Sequence, residues 1–382
     1  MITQGAIALG ALALASGCTV YTSCPDGQRL SSGQCVSGGT SSPSGGGGNV
    51  PDPTFTGPVP TGLWSMATGN LSGMSAGYGN VCNVSSKPNE DLLIAGISAV
   101  GLWASRDGGD SWQALGTGPS SVPVPNRANM ITYDPDHSDV FWEAGPYGEG
   151  VFQTKDDGTS FTRVGEIENT DGIGIDFTDP DRKTLLASVH EHGRTLYRTA
   201  DGGTTWTDIS DALPADTSAC NYPIVIDSQT YLFTCSQYNT TIGGVYRSTD
   251  AGQNWDRVSP LSAWAPPLLA SDGSIYWSME ADGGLLRSTD QGLTWKQLIS
   301  GTLTVQPIEL PDGRIATVTK QYVVVSSDHG ASWHLASSML PVLPAGLAYS
   351  AGQKAFAVWY LSPEPALPAD SIMRYAFDYR SE

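Results

Sequence analysis

Basic residues are scarce in this sequence: 19 Lys and Arg stand against 38 Asp and Glu, a formal net charge of −19. A surface of that sign repels phosphate backbones, which sets nucleic acid aside as a partner. Histidine is rare too, at five residues, and no Cys/His spacing has the pattern of a zinc site, so neither a metal nor a cofactor is expected. Charged residues of both signs make up only 15% of the chain, while Gly and Pro number 45 and 25. That balance disfavours a helical protein and suits many short strands joined by many turns. There is no phosphate loop, dinucleotide fingerprint or Ser-His-Asp arrangement.

Long apolar runs are also missing. The run Ala6–Ala15 has ten residues, too short to cross a bilayer and right for the core of a signal peptide spanning 1–17. The segment Ala15-Ser16-Gly17-Cys18 resembles a bacterial lipobox, which implies lipidation of Cys18 and a mature protein held at the outer membrane or cell surface. Without lipidation the same signal implies secretion. Contact with the membrane is then expected only through the lipid anchor.

Five other cysteines remain, in keeping with an oxidising compartment. Cys24 and Cys35 flank a Gly-containing loop that a disulfide can close, within a small Cys-bearing unit at 18–36. Cys220 and Cys235 bracket NYPIVIDSQTYLFT, read as strand, turn, strand. A two-residue turn at Asp227-Ser228 would set the two cysteines opposite each other for a second bridge. Cys82 is expected as a buried thiol. Residues 37–60, rich in Gly, Ser and Pro, read as a flexible tether.

From residue 61 the chain changes to apolar bursts separated by turns, and one octapeptide recurs six times: SRDGGDSW (105–112), TKDDGTSF (154–161), TADGGTTW (199–206), STDAGQNW (248–255), STDQGLTW (288–295) and SSDHGASW (326–333). Its aspartates, Asp107, Asp156, Asp201, Asp250, Asp290 and Asp328, are 49, 45, 49, 40 and 38 residues apart. A period of this size with several strands per unit is the sign of propeller blades. The copies resemble the Asp-box (BNR) repeat of sialidase-like, sortilin-like and photosystem-assembly-factor-like propellers. Six boxed units plus a unit formed from the C-terminal strands and an N-terminal strand near 62–69 predict an all-β, seven-bladed propeller over 61–382, its ring closed by that N-terminal strand. The spelling of the octapeptide is architectural. The Asp accepts bonds from turn N–H groups, the Gly takes a positive φ, and the terminal Trp packs beneath the turn.

The resemblance implies that ligands bind on the face opposite these boxes. Aligning the second strands on the repeat puts His190, Glu280 and Lys320 on that rim, with Glu143, Glu191 and His192 in the adjoining loops. Arg127, Asn129, Asp171 and Trp264 lie in connections between blades, and Tyr147 and Tyr238 are candidate stacking rings. His190 and His192 alternate and would share a side of an extended strand, while Glu280 and Lys320 occupy matching positions and suit an ion pair. The arginine signature of sialidases is absent. The leading expectation is a monomeric, envelope-tethered propeller that binds an extracytoplasmic protein segment or glycan. The alternative is a polysaccharide-active hydrolase or lyase: a carboxylate pair on the rim would favour hydrolysis, a His/Tyr/Arg cluster elimination.

Overall fold

The structure, a computed structural model, describes residues 28–31, 34–37, 55 and 57–380 apart from 89, 191–192 and 237–241. The expected signal peptide, Cys18, the expected Cys24–Cys35 bridge, Glu191, His192 and Tyr238 lie outside the described residues, as does most of the segment 37–60 read as a tether. A short hairpin pairs Gln28–Ser31 with Gln34–Ser37.

Seven four-stranded antiparallel sheets form the rest. The first blade is Val81–Ser86, Leu93–Ile97, Gly101–Ser105 and Gln113–Ala114 in spatial as well as chain order. Blades two to six repeat this order over 130–163, 170–208, 218–259, 268–299 and 308–335. The seventh uses Gly346–Ser350, Ala355–Trp359 and Ile372–Ala376, and its fourth strand is Trp64–Met66, paired with the third. First strands of neighbouring blades touch, as 170–175 does 218–225 and 346–350 does 81–86, so they line the axis. This is a seven-bladed β-propeller.

Alternation along each strand sends side chains toward both neighbouring blades. Phe141 and Phe152 pack toward blade one with Ile94 and Phe161, while Trp142 and Val151 pack toward blade three with Ile173 and Leu185. The other junctions have their own clusters, for example Tyr276 and Leu285 against Val324 and Trp333 between blades five and six. Burying these side chains between sheets, at roughly 25 cal/mol per Å² of apolar surface, is what holds blades that share no hydrogen-bonded edge.

The octapeptides connect third and fourth strands and repeat one bonding scheme. In the fifth blade Asp290 Oδ1 accepts from the Thr294 amide at 2.9 Å, Oδ2 accepts the Thr294 hydroxyl at 2.6 Å, and the Gly292 amide donates to Ser288 Oγ at 2.9 Å. Asn254 replaces the hydroxyl residue in the fourth blade, and its amide donates to Asp250 Oδ2 at 2.6 Å. Phe161 is fully buried without an indole N–H. The residue before the Gly also has positive φ, even where it is Asp157, Ala251, Gln291 or His329.

Cys220 and Cys235 are bonded and face each other in the ladder. The route to that register differs from the two-residue turn expected. The turn holds three residues, Asp227–Gln229, with Ile226 donating to Thr230, and Asp227 Oδ1 accepts from the amides of Gln229 and Thr230. The longer turn shifts the register by one. A bulge between Asn221 and Ile224 shifts it back.

Candidate functional site

Because strands alternate in direction, the octapeptide turns leave one end of the ring, and the loops between second and third strands, with the connections between blades, leave the other. On that other face the first strands of blades one, three and four each carry an irregularity: between Val81 and Asn83, between Thr170 and Gly172, and between Ser218 and Cys220. A bulge inserts one residue and re-aims its side chain. In blades one and three the inserted residues are Cys82 and Asp171, and both enter a buried polar cluster.

Asp171, 3% exposed, lies 2.9 Å (Oδ1) and 3.1 Å (Oδ2) from Nδ1 of His190, itself 3% exposed. A carboxylate accepts, so the ring proton belongs on Nδ1. Nε2 lies 3.0 Å from the Tyr147 hydroxyl, and in the tautomer with its single proton on Nδ1 it accepts from that hydroxyl. Asn221 Nδ2 donates to Asp171 Oδ2 at 3.1 Å, and Asn221 Oδ1 accepts the Ser188 hydroxyl at 2.8 Å. Asn129 Nδ2 donates to the Asp171 carbonyl at 2.7 Å and lies 3.2 Å from the Tyr222 hydroxyl, while Asn83 Nδ2 donates to the Asn129 carbonyl. Buried polar side chains on the first strands of blades one, three and four, with Asn129 just ahead of that of blade two, are thus linked by hydrogen bonds. Such groups are costly to bury unless satisfied, and together they fix one geometry.

Tyr147 is where this network meets solvent. It is 51% exposed, takes φ of +56°, and stands edge-on to His190 at 5.0 Å between ring centres. Its amide donates to Asn169 Oδ1 at 2.9 Å, and Asn169 also has positive φ. Paired left-handed, non-glycine residues are strained and persist only where surroundings hold them. Asn126 does part of that holding. Its Nδ2 donates to the Gly150 carbonyl and its Oδ1 accepts the Glu149 amide, and a Cβ on Gly148 would lie 1.9 Å from Oδ1. Only glycine allows that approach. Beside the loop the buried Arg127 donates from Nε to Cys82 Sγ at 3.2 Å, and its guanidinium carbon lies 4.9 Å from the Tyr78 ring centre and 5.8 Å from that of Tyr147.

Of the residues singled out from sequence, Arg127, Asn129, Asp171 and His190 therefore converge, joined by Tyr147 through its hydroxyl. Others do not. Glu143 is wholly buried on the side of its strand facing blade one, not on the rim. Asn126 Nδ2 donates to one of its oxygens at 2.8 Å, and burial pushes the carboxyl up to about 8. Glu280 sits on a short 3-10 turn in blade five and accepts from the Ser236 hydroxyl. Lys320 is exposed in blade six, and Trp264 is half-buried in the connection between blades four and five. Both nitrogens of His190 are engaged, Nδ1 by Asp171 and Nε2 by Tyr147. Tyr78, Asn83, Asn221 and Tyr222 were not anticipated. The available signal was an asparagine inside an otherwise apolar strand, in VCNV and CNYPIV.

No protein-family model matches this chain, and no curated protein does. Solved structures with the same fold include the Niastella koreensis GH74 enzyme, with a TM-score of 0.58 and 16% identity over 79% of this chain and 53% of that one. The GH74 xyloglucanase from Xanthomonas campestris gives 0.50 and 16% over 83% and 56%. PorZ, a bacterial surface component of the type-IX secretion system of Porphyromonas gingivalis, gives 0.52 and 13% over 78% and 47%. The chain spans about half the length of these proteins. At such identities the likeness is one of fold.

Proposed function

We propose that this protein is a propeller of the Asp-box kind, tethered to the cell envelope through Cys18, that binds an extracytoplasmic protein segment or glycan on the face opposite its octapeptide turns. One observation carries the reading: the buried Asp171–His190 pair holds the half-exposed Tyr147 in a strained conformation on that face. A phenol fixed in this way is an aromatic contact and a hydrogen-bonding group whose ordering entropy is already spent, the property that raises affinity at binding sites. The sign of the net charge and the signal-like N-terminus support an extracytoplasmic, non-nucleic-acid partner. The test is a binding screen of the lipidated full chain against peptide and polysaccharide arrays, repeated with Tyr147→Phe. Loss of a ligand on removal of this one hydroxyl supports the site, and a ligand indifferent to it refutes it.

A second reading has its own support. In Asp171–His190–Tyr147 the imidazole can take the phenolic proton while the carboxylate stabilises the resulting imidazolium, which makes Tyr147 a proton-transfer group. With Arg127 beside it this is the His/Tyr/Arg combination that favours elimination over hydrolysis. The same array with detection of unsaturated sugar products distinguishes a lyase from a binding protein.

A further inference from the structure

A groove of about 460 Å³ runs along the junction of blades two and three, outside the cluster just described. Its walls carry the rings of Tyr197 and Trp206, both half-buried, the hydroxyl residues Thr195 and Thr204, and the carboxylates of Glu166 and Glu168. The two carboxylate side chains are 94% and 68% exposed. Arg163 approaches them only at 3.5 and 3.8 Å, since its Nε and Nη2 donate to the carbonyls of Glu149 and Ile167. One arginine against two glutamates leaves the groove negative, within a chain of net charge −19. Asn169 lines the groove and also accepts the Tyr147 amide, so groove and cluster are continuous.

We infer that this groove receives a basic polypeptide segment, one whose Lys or Arg side chains lie between the aromatic walls and the two carboxylates while the segment continues toward Tyr147. The inference rests on the binding reading above and names the partner's chemistry. Aromatic faces and carboxylates both attract ammonium and guanidinium groups, and the acidic field of the whole chain steers a cationic partner inward. A neutral glycan draws on neither term, and an anionic one is repelled. Strand addition is not the mode here, because the outer strand of blade three, Thr207–Asp208, offers an edge of only two residues.

The experiment is a titration of the full-length protein in detergent micelles with fluorescein-labelled decalysine, alongside decaglutamate and cellohexaose. Decalysine should bind, and binding should weaken as ionic strength rises from about 0.01 to 0.1 M, where the Debye length falls from about 30 to 10 Å. The double variant Glu166→Gln/Glu168→Gln should lose at least tenfold in affinity, and Tyr197→Ala a further severalfold. Asp211→Asn with Glu364→Gln removes the same charge elsewhere and should stay within twofold. No decalysine binding, equal losses in both double variants, or a preference for cellohexaose overturns the proposal. A ligand from the array screen that responds to Tyr147→Phe but not to the groove variants would sink the groove alone, whereas indifference to both would sink the binding reading with it.

Discussion

The Tyr147 hydroxyl and His190 Nε2 are 3.0 Å apart although 43 residues separate them in the chain, one on a loop of blade two, the other at the end of a strand in blade three. The bond spans a blade junction and couples a solvent-facing phenol to a buried imidazole. Tyr147→Phe keeps the ring and should leave the melting temperature within about 2–4 °C, corresponding to a loss of ~1 kcal/mol at most. His190→Ala removes a donor from the buried Asp171, which keeps that of Asn221, and should cost about 3 kcal/mol. If both variants lose ligand binding equally while only His190→Ala melts early, the phenol is the contact and the imidazole its support. Thermal melts beside binding curves decide this.

Asp290→Ala should behave in the opposite way. It deletes the bonds to Ser288 and Thr294 in a turn on the far face, with an expected loss of ~1–2 kcal/mol and no change in ligand affinity. Abolished binding at unchanged melting temperature would contradict this.

The same aspartates set the response to acid. Hydrogen bonds from the turn hold all six carboxyls below their usual range, and Asp201 and Asp328 fall to about 2, the latter against an opposing effect of burial. A lowered folded-state value adds stability that is complete above the unfolded value of 3.8 and disappears as the pH falls toward 2. Melting temperature should therefore drop steeply between about pH 4 and 2. Replacing Asp328 by Asn should shallow that slope.

Glu143 has the reverse sign. Burial raises its carboxyl from 4.5 to about 8, so between those values the folded state keeps a proton that the unfolded chain releases. Its contribution to stability must fall with rising pH across that window, at up to about 1.4 kcal/mol per pH unit. Glu143→Gln keeps the shape, removes the titration, and should gain on the wild type as the pH is raised from 5 to 8. A constant difference in melting temperature across that range would show that Glu143 does not titrate there.

Reduction of the Cys220–Cys235 bond, which closes a separation of 15 residues, should cost about 3 kcal/mol in the chain-entropy account. The Cys220→Ala/Cys235→Ala variant should melt at the temperature of the reduced wild type. Separately, Cys18→Ser should move the protein from the detergent phase to the aqueous phase if the anchor is a lipid on that residue.

The blade count was legible because every octapeptide turn solves one steric problem in the same way, so Asp, Gly and a terminal aromatic recur in phase. The cluster was only partly so. Asp171 and His190 were picked by position, but the feature that unites them is an extra residue in a first strand, and a bulge depends on what the neighbouring strand does. For the same reason the Cys220–Cys235 pairing came out right by a different route, a longer turn offset by a bulge. At Glu280 a 3-10 turn follows the second strand of blade five, and the residue accepts from Ser236 at the end of the second strand of blade four, a contact that repeat phase alone does not specify.

The strand Trp64–Met66 gives the ring a mechanical polarity. Its three residues hang on the edge of the seventh blade, and just upstream Phe55 packs into the cluster between blades five and six. A pull arriving from the N-terminal side meets that aromatic plug before it reaches the strand, and six blades with contiguous strands lie out of its path. Under load the first element to yield should be the plug, then the short strand, leaving the Tyr147 loop and its supports in blades one to four undisturbed.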